Sequence, residues 1–331
     1  MSLFTDKDIL VTGGCGSIGS EIVRQLIEHK PKRIRVFDHS ESGHFLLNQK
    51  LNSPLIRNLI GDVRDRYRIM RAMEGVDMVF HASALKHVPF CEYNPFEAVH
   101  TNVIGTKNMV EAAIEKKVSR VVAISTDKAV SPVNTMGATK LLSEKIVTNA
   151  PVGLSETKFA CVRFGNVLNS VGSVIPIFRH QIENGGPVTV TSNDMTRFFM
   201  TIPQAVSLIL HAGTEMKGRE IFVLKMYGLK IPDLAQVLIE ELAPKFGRRP
   251  EDIPIEIMGV RPGEKLYEAL FTEVERGYVT ETDNMFVVRS SPYDTFEVDY
   301  TSEFSNYNSS NMELLSKAEI REMLYKEKIL S

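Results

Sequence analysis

The sequence predicts an α/β fold of the Rossmann type: a doubly wound parallel sheet with a smaller mixed α/β region towards the C-terminus. Three observations lead to this prediction. Short apolar runs alternate with helical stretches through the first half, a glycine-rich turn follows the first run, and the alternation loosens after about residue 163. Runs that are apolar throughout are typical of parallel strands covered on both faces. Such a sheet binds ligands at the carboxyl ends of its strands.

Six apolar runs are the predicted strands of this sheet: Asp8–Thr12, Ile34–Asp38, Leu55–Gly61, Met78–Ala82, Arg120–Ser125 and Lys158–Arg163. The predicted helices are Ser17–Glu28, Pro95–Lys117, Ile202–Ala212, Ile231–Phe246 and Glu264–Leu270, with a further strand at Ile221–Lys225 and a polar loop at Thr301–Asn311. The predicted first domain therefore spans 1–166 and takes back about 195–226. About 167–194 and 227–331 are predicted to form the second domain.

Composition places the chain among ordinary globular proteins. Its 331 residues are 43% hydrophobic and 24% charged, and 39 basic against 41 acidic side chains give a net charge of −2. This balance does not favour a nucleic acid partner. Because no apolar run reaches ~18 residues and no signal peptide is evident, we expect a cytoplasmic protein without a membrane partner. Three scattered cysteines, Cys15, Cys91 and Cys161, favour neither disulfides nor a metal site.

A glycine-rich turn follows the first predicted strand. The run Thr12-Gly-Gly-Cys-Gly-Ser-Ile-Gly19 has T-G-x-x-G-x-x-G spacing and opens a helix. Glycines there let the backbone approach a pyrophosphate, which then faces the helix N-terminus. The predicted cofactor contacts in this turn are Gly13, Gly16, Ser17, Ile18 and Gly19.

An aspartate ends the second predicted strand, 19 positions after Gly19. A carboxylate at Asp38 can accept hydrogen bonds from both ribose hydroxyls and repels a 2′-phosphate, so NAD is favoured over NADP. A helix N-cap is the alternative role for Asp38. Arg35 is near in sequence, but the alternation of side chains along a strand gives no assurance that it points to the same place. After the third strand, Asp62 and Val63 are predicted to flank the adenine, unless Asp62 only stabilises a turn.

A second cluster of polar residues follows the fifth predicted strand. Thr126, Asp127 and Lys128 lie at the edge of the sheet where ligands bind, and Met136 and Lys140 share one helix face four residues apart. Nicotinamide enzymes with such a segment usually carry a tyrosine at the position of Met136, whose thioether cannot transfer a proton. Lys140 can reach the nicotinamide ribose. Met136 packs either against the ligands or in the core.

These segments together resemble a known family. Ser125-Thr-Asp-Lys-Ala, Met136-Gly-Ala-Thr-Lys140, the glycine turn and His81-Ala-Ser-Ala-Leu-Lys-His87 are similar to the extended short-chain dehydrogenases/reductases. Within that family they resemble the UDP-N-acetylglucosamine 4,6-dehydratases, several of which carry Met-x-x-x-Lys. Further similar motifs are Thr101-Asn-Val-Ile-Gly-Thr106, Arg163-Phe-Gly-Asn-Val167, Gly172-Ser-Val-Ile-Pro176, Met195-Thr-Arg-Phe198 and Gly263-Glu-Lys265.

The resemblance implies a reaction in three parts: oxidation at C4 of the sugar, loss of water across C5 and C6, and hydride return to C6. Thr126 would bind the 4-hydroxyl, Asp127 would protonate the departing C6 hydroxyl, and Lys128 would remove the C5 proton. Asp127 then needs a raised pKa, which burial could provide. Lys128 must be partly neutral, which burial and the nearby Lys140 would favour.

The resemblance also implies how ligands are held. Ala82 would line the cofactor site, and NAD, or alternatively NADP, would stay tightly bound because it is regenerated in each cycle. The implied substrate-binding residues for a UDP-sugar are Lys86, Asn166, Arg197, Arg261 and Glu264. We expect no metal and a homo-oligomer, and the configuration at C5 is left open. A nucleotide-sugar 4-epimerase and a non-catalytic, cofactor-binding regulator are the alternative functions.

Overall fold

The computed structural model describes residues 2–150, 156–170, 172–261, 263–289 and 307–330. Its strands in chain order are β1 Asp8–Thr12, β2 Arg33–Asp38, β3 Ile56–Ile60, β4 Met78–His81, β5 Arg120–Ile124, β6 Lys158–Arg163, β7 Asn166–Val167, β8 Val188–Val190, β9 Thr196–Met200, β10 Glu220–Leu224, β11 Tyr227–Lys230, β12 Ile255–Ile257, β13 Val279–Glu281 and β14 Met285–Arg289.

The α-helices in chain order are α1 Ser17–Glu28, α2 Glu41–Leu51, α3 Arg66–Ala72, α4 Val88–Tyr93, α5 Pro95–Ala98, α6 Gly105–Glu115, α7 Thr135–Thr148, α8 Val174–Glu183, α9 Ile202–Glu215, α10 Ile231–Leu242 and α11 Lys317–Lys326. A π-helical segment, Val99–Ile104, joins α5 to α6, so the predicted helix at Pro95–Lys117 contains two α-helices and this wider turn.

The main sheet confirms the predicted fold class. Its order is β13-β14-β10-β6-β5-β4-β1-β2-β3, and neighbours from β3 to β10 run parallel. The order 3-2-1-4-5-6 is that of a dinucleotide-binding doubly wound sheet. The chain leaves β1 for β2 on one side and later enters β4 on the other. A crevice therefore opens at the carboxyl ends of β1 and β4.

The apolar residues explain why these strands are central. All five residues of β1 and all four of β4 are buried, because helices cover both faces of the sheet. Helix α1 packs against α9, and α6 packs against both α3 and α7. A second apolar core lies between α8, α10 and α11, next to the small sheets β11-β9-β7 and β12-β8.

One prediction for the C-terminal half was wrong. Glu264–Leu270 is not helical, because other groups already bind its backbone: Thr196 N–H and Arg197 donate to the Leu266 carbonyl. Strands β13 and β14, which lie within 227–331, extend the main sheet through antiparallel pairing of β14 with β10. Of the predicted Thr301–Asn311 loop, 301–306 lie outside the described residues.

A buried ion cluster joins three separate parts of the chain. Arg163, at the end of β6, is fully buried and donates two hydrogen bonds each to Glu144 of α7, at 3.0 and 2.7 Å, and to Glu275, both at 3.0 Å. It also donates to the Leu270 carbonyl at 2.8 Å. One guanidinium thus fixes β6, α7 and the segment around 270 relative to one another.

Removal of this guanidinium should be strongly destabilising. Arg163→Met leaves two buried carboxylates without their cation, which should lower the free energy of unfolding by roughly 3–5 kcal/mol. Urea unfolding followed by circular dichroism measures this change. Arg249→Met, which breaks only the exposed pairs with Asp252 and Glu251, is the matched control and should unfold near the wild-type urea concentration. Equal midpoints for the two variants would contradict a structural role for the cluster.

Candidate active site

A cavity of about 630 Å³ opens at the carboxyl ends of β1 and β4. Its wall includes six of the residues predicted from sequence to bind cofactor: Gly13, Gly16, Asp38, Asp62, Val63 and Ala82. The remaining residues of the glycine turn, Ser17, Ile18 and Gly19, form the first turn of α1 directly behind this wall. The fold therefore places the predicted cofactor residues around one opening.

The glycine turn leaves no room for side chains. Gly13 has φ +65°, and a Cβ there would lie 2.8 Å from the Ala82 carbonyl oxygen. A Cβ on Gly19 would lie 2.1 Å from the Gly13 carbonyl oxygen. Because β1, the start of α1 and the turn after β4 approach this closely, the backbone itself forms the floor of the cavity.

The Asp38 carboxylate is held in place by backbone amides. It accepts hydrogen bonds from Cys15 N–H at 3.1 Å and Ser40 N–H at 3.0 Å, and lies in the cavity wall. The helix N-cap of α2 is Ser40, so the alternative role for Asp38 is taken by its neighbour. Arg35 points elsewhere: it donates to the Ala72 carbonyl and pairs with Asp8 at the other end of the sheet.

The opposite wall of the cavity carries a second charged group. Arg64 donates to Asp62 and, at 2.7 Å, to Glu97. Burial would raise the pKa of Asp62, but hydrogen bonds and charge from Arg64 outweigh it and lower that pKa. Asp62 is therefore ionised in its pair.

The predicted catalytic residues Thr126, Asp127 and Lys128 form a tight turn directly after β5, the catalytic turn. The Thr126 hydroxyl and the Lys128 ammonium both donate to the same oxygen, Oδ1 of Asp127, each at 2.9 Å. Asp127 is 0% exposed, and its Oδ2 has no hydrogen-bond partner. The Lys128 side chain keeps 25% of its surface exposed, so of this pair only the lysine reaches the solvent. Gly165 lies against the turn, where a Cβ would come within 3.1 Å of Asp127 Oδ2.

The expected direction of the Lys128 pKa was wrong. Burial lowers it as expected, but the negative charges of Asp127 and Glu268 outweigh burial and raise the pKa above its ordinary value. Arg197, rather than Lys140, is the neighbouring cation that opposes them. Lys128 is therefore an ammonium in the resting protein and needs an acceptor before it can act as a base.

Lys140 lies on the other side of β5. Its Nζ donates to the Ile124 carbonyl at 2.5 Å, and burial lowers its pKa. Buried His81, at the end of β4, contacts the hydroxyls of Thr12 and Thr106 at 2.7 and 3.2 Å. Burial, with a smaller contribution from the charge of Lys140, lowers the pKa of His81 to about 3. The ring is therefore a neutral structural group.

Met136 packs in a small apolar cluster instead of facing the turn of Asp127. It is 3% exposed and lies with Cys91 and Ala98. The next residue, Gly137, explains the close fit of α7 to the catalytic turn, because a Cβ there would lie 2.4 Å from the Lys128 carbonyl oxygen. Met136 therefore packs in a core, the second of its two expected roles, and its contact with ligands stays a prediction.

The substrate-binding residues predicted from sequence are spread more widely than the predicted cofactor residues. Arg197 is buried and donates to the carbonyls of Thr196, Leu266 and Lys265, and its NH2 lies 3.9 Å from Glu264 Oε1. Arg197 and Glu264 thus lie together beside Lys128. Arg197 holds the 264–266 segment, and its contact with a diphosphate stays a prediction.

The other three substrate-binding predictions lie at different depths. Asn166 begins β7 and has a buried Oδ1 without a hydrogen-bond partner. Lys86 and Arg261 are exposed, although partial burial still lowers the pKa of Lys86. Of the three, Asn166 lies closest to the catalytic turn, since it follows Gly165.

Sequence reasoning missed two charged residues of this site. Lys265 donates to the Val130 carbonyl at 2.8 Å, and Glu268 Oε1 lies 4.0 Å from Lys128 Nζ. Both lie on the segment that was wrongly predicted to be a helix. No local pattern indicates them, because the segment is held by Asn134, whose side-chain oxygen caps α7 and whose amide nitrogen donates to the Gly263 carbonyl at 2.9 Å. That contact brings the segment onto the catalytic turn.

The described ranges contain no group of three or more His, Cys, Asp or Glu side chains that could hold a metal ion. Within the same ranges, every helix is too short or too polar to cross a membrane.

Comparison with known proteins agrees with this architecture. Residues 9–290 match the model of a family described as polysaccharide biosynthesis proteins. A Methanocaldococcus jannaschii protein, described as an uncharacterized membrane protein, is 55% identical over 98% of this chain and 96% of its own length. The chain spans 53% of the capsular polysaccharide biosynthesis protein CapD of Staphylococcus aureus, with 46% identity over 95% of this chain.

Relatives with named activities are of two kinds. The inverting UDP-N-acetylglucosamine 4,6-dehydratase of Campylobacter jejuni is 39% identical over 87% of this chain and 84% of its own. The UDP-glucose 4-epimerase of Rickettsia canadensis is 38% identical over 97% and 96%.

Solved structures are similar throughout the chain. Pen from Bacillus thuringiensis superposes with a TM-score of 0.90 at 44% identity, covering 98% of both chains. DesIV, a dTDP-glucose 4,6-dehydratase from Streptomyces venezuelae, matches in fold at 23% identity, with a TM-score of 0.70 over 78% and 86% of the two chains.

The fold and the relatives together define an extended short-chain dehydrogenase/reductase. The chain belongs to the polysaccharide biosynthesis protein family, and its named relatives include nucleotide-sugar dehydratases and epimerases.

The buried His81 should make stability depend on pH. Its pKa is about 3 in the folded protein and about 6.5 when unfolded, so the unfolded chain binds the extra proton. Its contribution is complete above pH 6.5 and is lost as pH falls towards 3. His81→Asn should reduce the loss of unfolding free energy between pH 7 and pH 4 by about 3 kcal/mol.

Urea unfolding at several pH values measures this difference. His180→Asn on α8, where the ring is exposed, is the matched control. If the His81→Asn curve ran parallel to that of the wild type, a neutral buried ring at position 81 would be wrong.

Proposed function

We propose that this protein is a UDP-N-acetylglucosamine 4,6-dehydratase that produces a 4-keto-6-deoxy sugar nucleotide for surface polysaccharide or glycan biosynthesis. One observation carries the proposal. A carboxyl group and an amine, Asp127 and Lys128, share a 2.9 Å hydrogen bond at the carboxyl edge of the sheet. A dehydratase needs an acid and a base at adjacent sugar carbons, whereas an epimerase does not. The 39% identity to the Campylobacter jejuni dehydratase agrees with this assignment.

The cavity fits a nicotinamide dinucleotide. Gly13 provides a floor that a Cβ would fill, α1 directs its N-terminus at the opening, and Asp38 offers a fixed carboxylate. Gly13 and Gly16 would hold the pyrophosphate, Asp38 the adenine ribose, and Asp62 with Val63 the adenine. The nicotinamide would supply the chemistry of accepting a hydride from sugar C4 and giving it back at C6. Arg35 points away from Asp38, and the carboxylate repels a 2′-phosphate, which favours NAD.

The proposed proton transfers begin within the Asp127–Lys128 pair. Moving one proton along their hydrogen bond turns an ion pair into a neutral carboxylic acid and a neutral amine. These are the acid and the base that the elimination requires. Binding a sugar displaces water from the exposed side of Lys128, which favours the uncharged forms.

Thr126 connects this pair to the sugar. Its hydroxyl donates to Asp127 Oδ1 in the resting protein. As Thr126 accepts the proton of the 4-hydroxyl, it would pass its own proton through Asp127 to the neutral Lys128 amine, which releases that proton to the solvent before the elimination. Because Asp127 is fully buried, its proton would reach the C6 hydroxyl through Thr126 or Lys128. The amine of Lys128, which is partly exposed, would remove the C5 proton directly.

Substrate binding is proposed for the segment that follows Arg261. Glu264 would accept from the nucleotide ribose, and Arg197 with Arg261 would donate to the diphosphate. Asn166 has a buried carbonyl oxygen that lacks a partner, and Lys86 extends from the turn after β4. Ligand contact would require Arg197 to exchange part of its present bonding to the carbonyls of Lys265 and Leu266.

A 4-epimerase is the second candidate, favoured by the 38% identity to the Rickettsia canadensis enzyme. Incubation with UDP-N-acetylglucosamine in deuterated water, followed by mass spectrometry and NMR, separates the two functions. A dehydratase forms a product lighter by one water that carries deuterium at C5. An epimerase forms an isomer of unchanged mass. Bound cofactor with no conversion of the sugar would leave a binding protein.

Removal of either member of the proton-transfer pair should stop the reaction. Lys128→Met lacks the amine and Asp127→Asn lacks the acid, so we expect turnover to fall by at least about 10³-fold while cofactor stays bound. Product formation by mass spectrometry and cofactor content by absorbance are the measurements. Lys107→Met, on the exposed face of α6, is the control. Near-normal turnover in either variant would reject the assigned roles.

The cofactor preference should depend on Asp38. The wild type should bind NAD at least about tenfold more tightly than NADP, because the carboxylate repels a 2′-phosphate. Asp38→Asn should reduce the ratio of the NADP to the NAD dissociation constant, measured by isothermal titration calorimetry. Glu41→Gln removes one charge from the exposed start of α2 and is the control. Tighter binding of NADP to the wild type would contradict the preference.

A further inference from the structure

Lys128 contacts a second buried carboxyl group that none of the recognised motifs contains. Glu268 is 3% exposed, and its Oε1 lies 4.0 Å from Lys128 Nζ. Asp127 Oδ1 lies 2.9 Å from the same nitrogen. The amine therefore lies between carboxyl groups from two segments that are far apart in sequence.

The backbone of Glu268 is fixed from both sides. Its N–H donates to Ser309 Oγ at 3.0 Å, and Ser309 N–H donates to its carbonyl at 2.9 Å. Ser309 is fully buried, and its hydroxyl also lies 3.0 Å from that of Thr196 in β9. The backbone that carries the Glu268 carboxyl group is thus held by hydrogen bonds on both sides.

Both carboxyl groups have an oxygen without a hydrogen-bond partner. Asp127 Oδ2 and Glu268 Oε2 are buried and accept no hydrogen bond. The Lys265 ammonium lies 3.9 Å from Glu268 Oε2, beyond hydrogen-bond distance. Buried polar atoms in native proteins usually have partners, so two unpaired oxygens around one amine indicate a functional arrangement. Burial, with the charge of Asp127, raises the pKa of Glu268 despite the nearby cations Lys128, Arg197 and Lys265.

We infer that Glu268 is a positioning residue that holds the Lys128 amine beside Asp127 and facing the proposed sugar site. The inference rests on the proposed function for its role in turnover. The charged groups around Lys128 are Asp127, Glu268, Arg197 and Lys265, with Glu264 behind Arg197. Glu268 supplies negative charge that offsets the nearby cations Arg197 and Lys265. Without it, Lys128 releases its proton at a lower pH.

The test measures Lys128 itself, without substrate. Trace acetylation by acetic anhydride over a pH series, with the Lys128 peptide quantified by mass spectrometry, gives the pKa of the amine. Glu268→Gln keeps the shape and removes the charge, so this pKa should fall by about one unit, which raises acetylation at a fixed lower pH about tenfold. Glu273→Gln, an exposed carboxylate on the same segment, is the matched control and should keep the wild-type profile. Identical profiles for the two variants would overturn the inference.

Turnover provides the second readout. In Glu268→Gln the basic limb of the kcat/KM profile, where the Asp127–Lys128 pair loses its one proton, should shift to lower pH by the same amount as the Lys128 pKa. An unshifted limb in an active Glu268→Gln enzyme would also overturn the positioning role. If the wild type converts no nucleotide sugar while Glu268→Gln still shifts the Lys128 titration, the proposed function fails and the placement of Glu268 stands.

A second variant keeps the test valid if Glu268→Gln does not fold. Ser309→Ala leaves the carboxyl group in place but removes the hydroxyl that accepts from the Glu268 N–H. Because Glu268 is then held less firmly, the Lys128 pKa should fall in Ser309→Ala as well, but by less than in Glu268→Gln. A Lys128 titration identical to that of the wild type in folded Ser309→Ala would contradict the fixed presentation of Glu268.

Discussion

The buried guanidinium of Arg163 is the interaction on which the geometry of this protein depends. It binds Glu144 on the helix that carries Lys140, and Glu275 beyond the segment that carries Glu268. A buried cation between two carboxylates tolerates little displacement, because any lost hydrogen bond leaves a charge unpaired in the interior. The two halves of the proposed site, which are separated by more than a hundred residues, are therefore held in register by one side chain.

Charge around the catalytic turn is balanced in the same way. Asp127 and Glu268 face Lys128, and the added positive charge of Arg197 and Lys265 is offset by Glu264 beside Arg197. In the proposed mechanism this pair exchanges a proton internally, so that no tyrosine is needed at position 136. Met136 is then free to pack in a core with Cys91 and Ala98, which positions α7 through apolar contact. The substitution of methionine for tyrosine is thus compatible with a complete site.

Much of the first half could be predicted from sequence. β1 and β6 have the predicted bounds, and the glycine turn and Asp38 lie in one cavity wall, because strand–turn–helix units place the ends of parallel strands together. The second half could be predicted only in part. Glu264–Leu270 has a helical pattern but lies irregularly, since Arg197, Thr196 and Ser309 bind its backbone, and such distant partners leave no local signal.

The sequence alone determined the fold class and the family, and it predicted the residues of the catalytic turn, because these depend on local spacing and on the alternation of strands with helices. Tertiary structure decided the protonation of the turn. Lys128 is charged at rest since Glu268, 140 positions further along the chain, adds a second negative charge at 4.0 Å. Electrostatic interactions depend on distance in space and on burial, and neither can be read from positions along a chain.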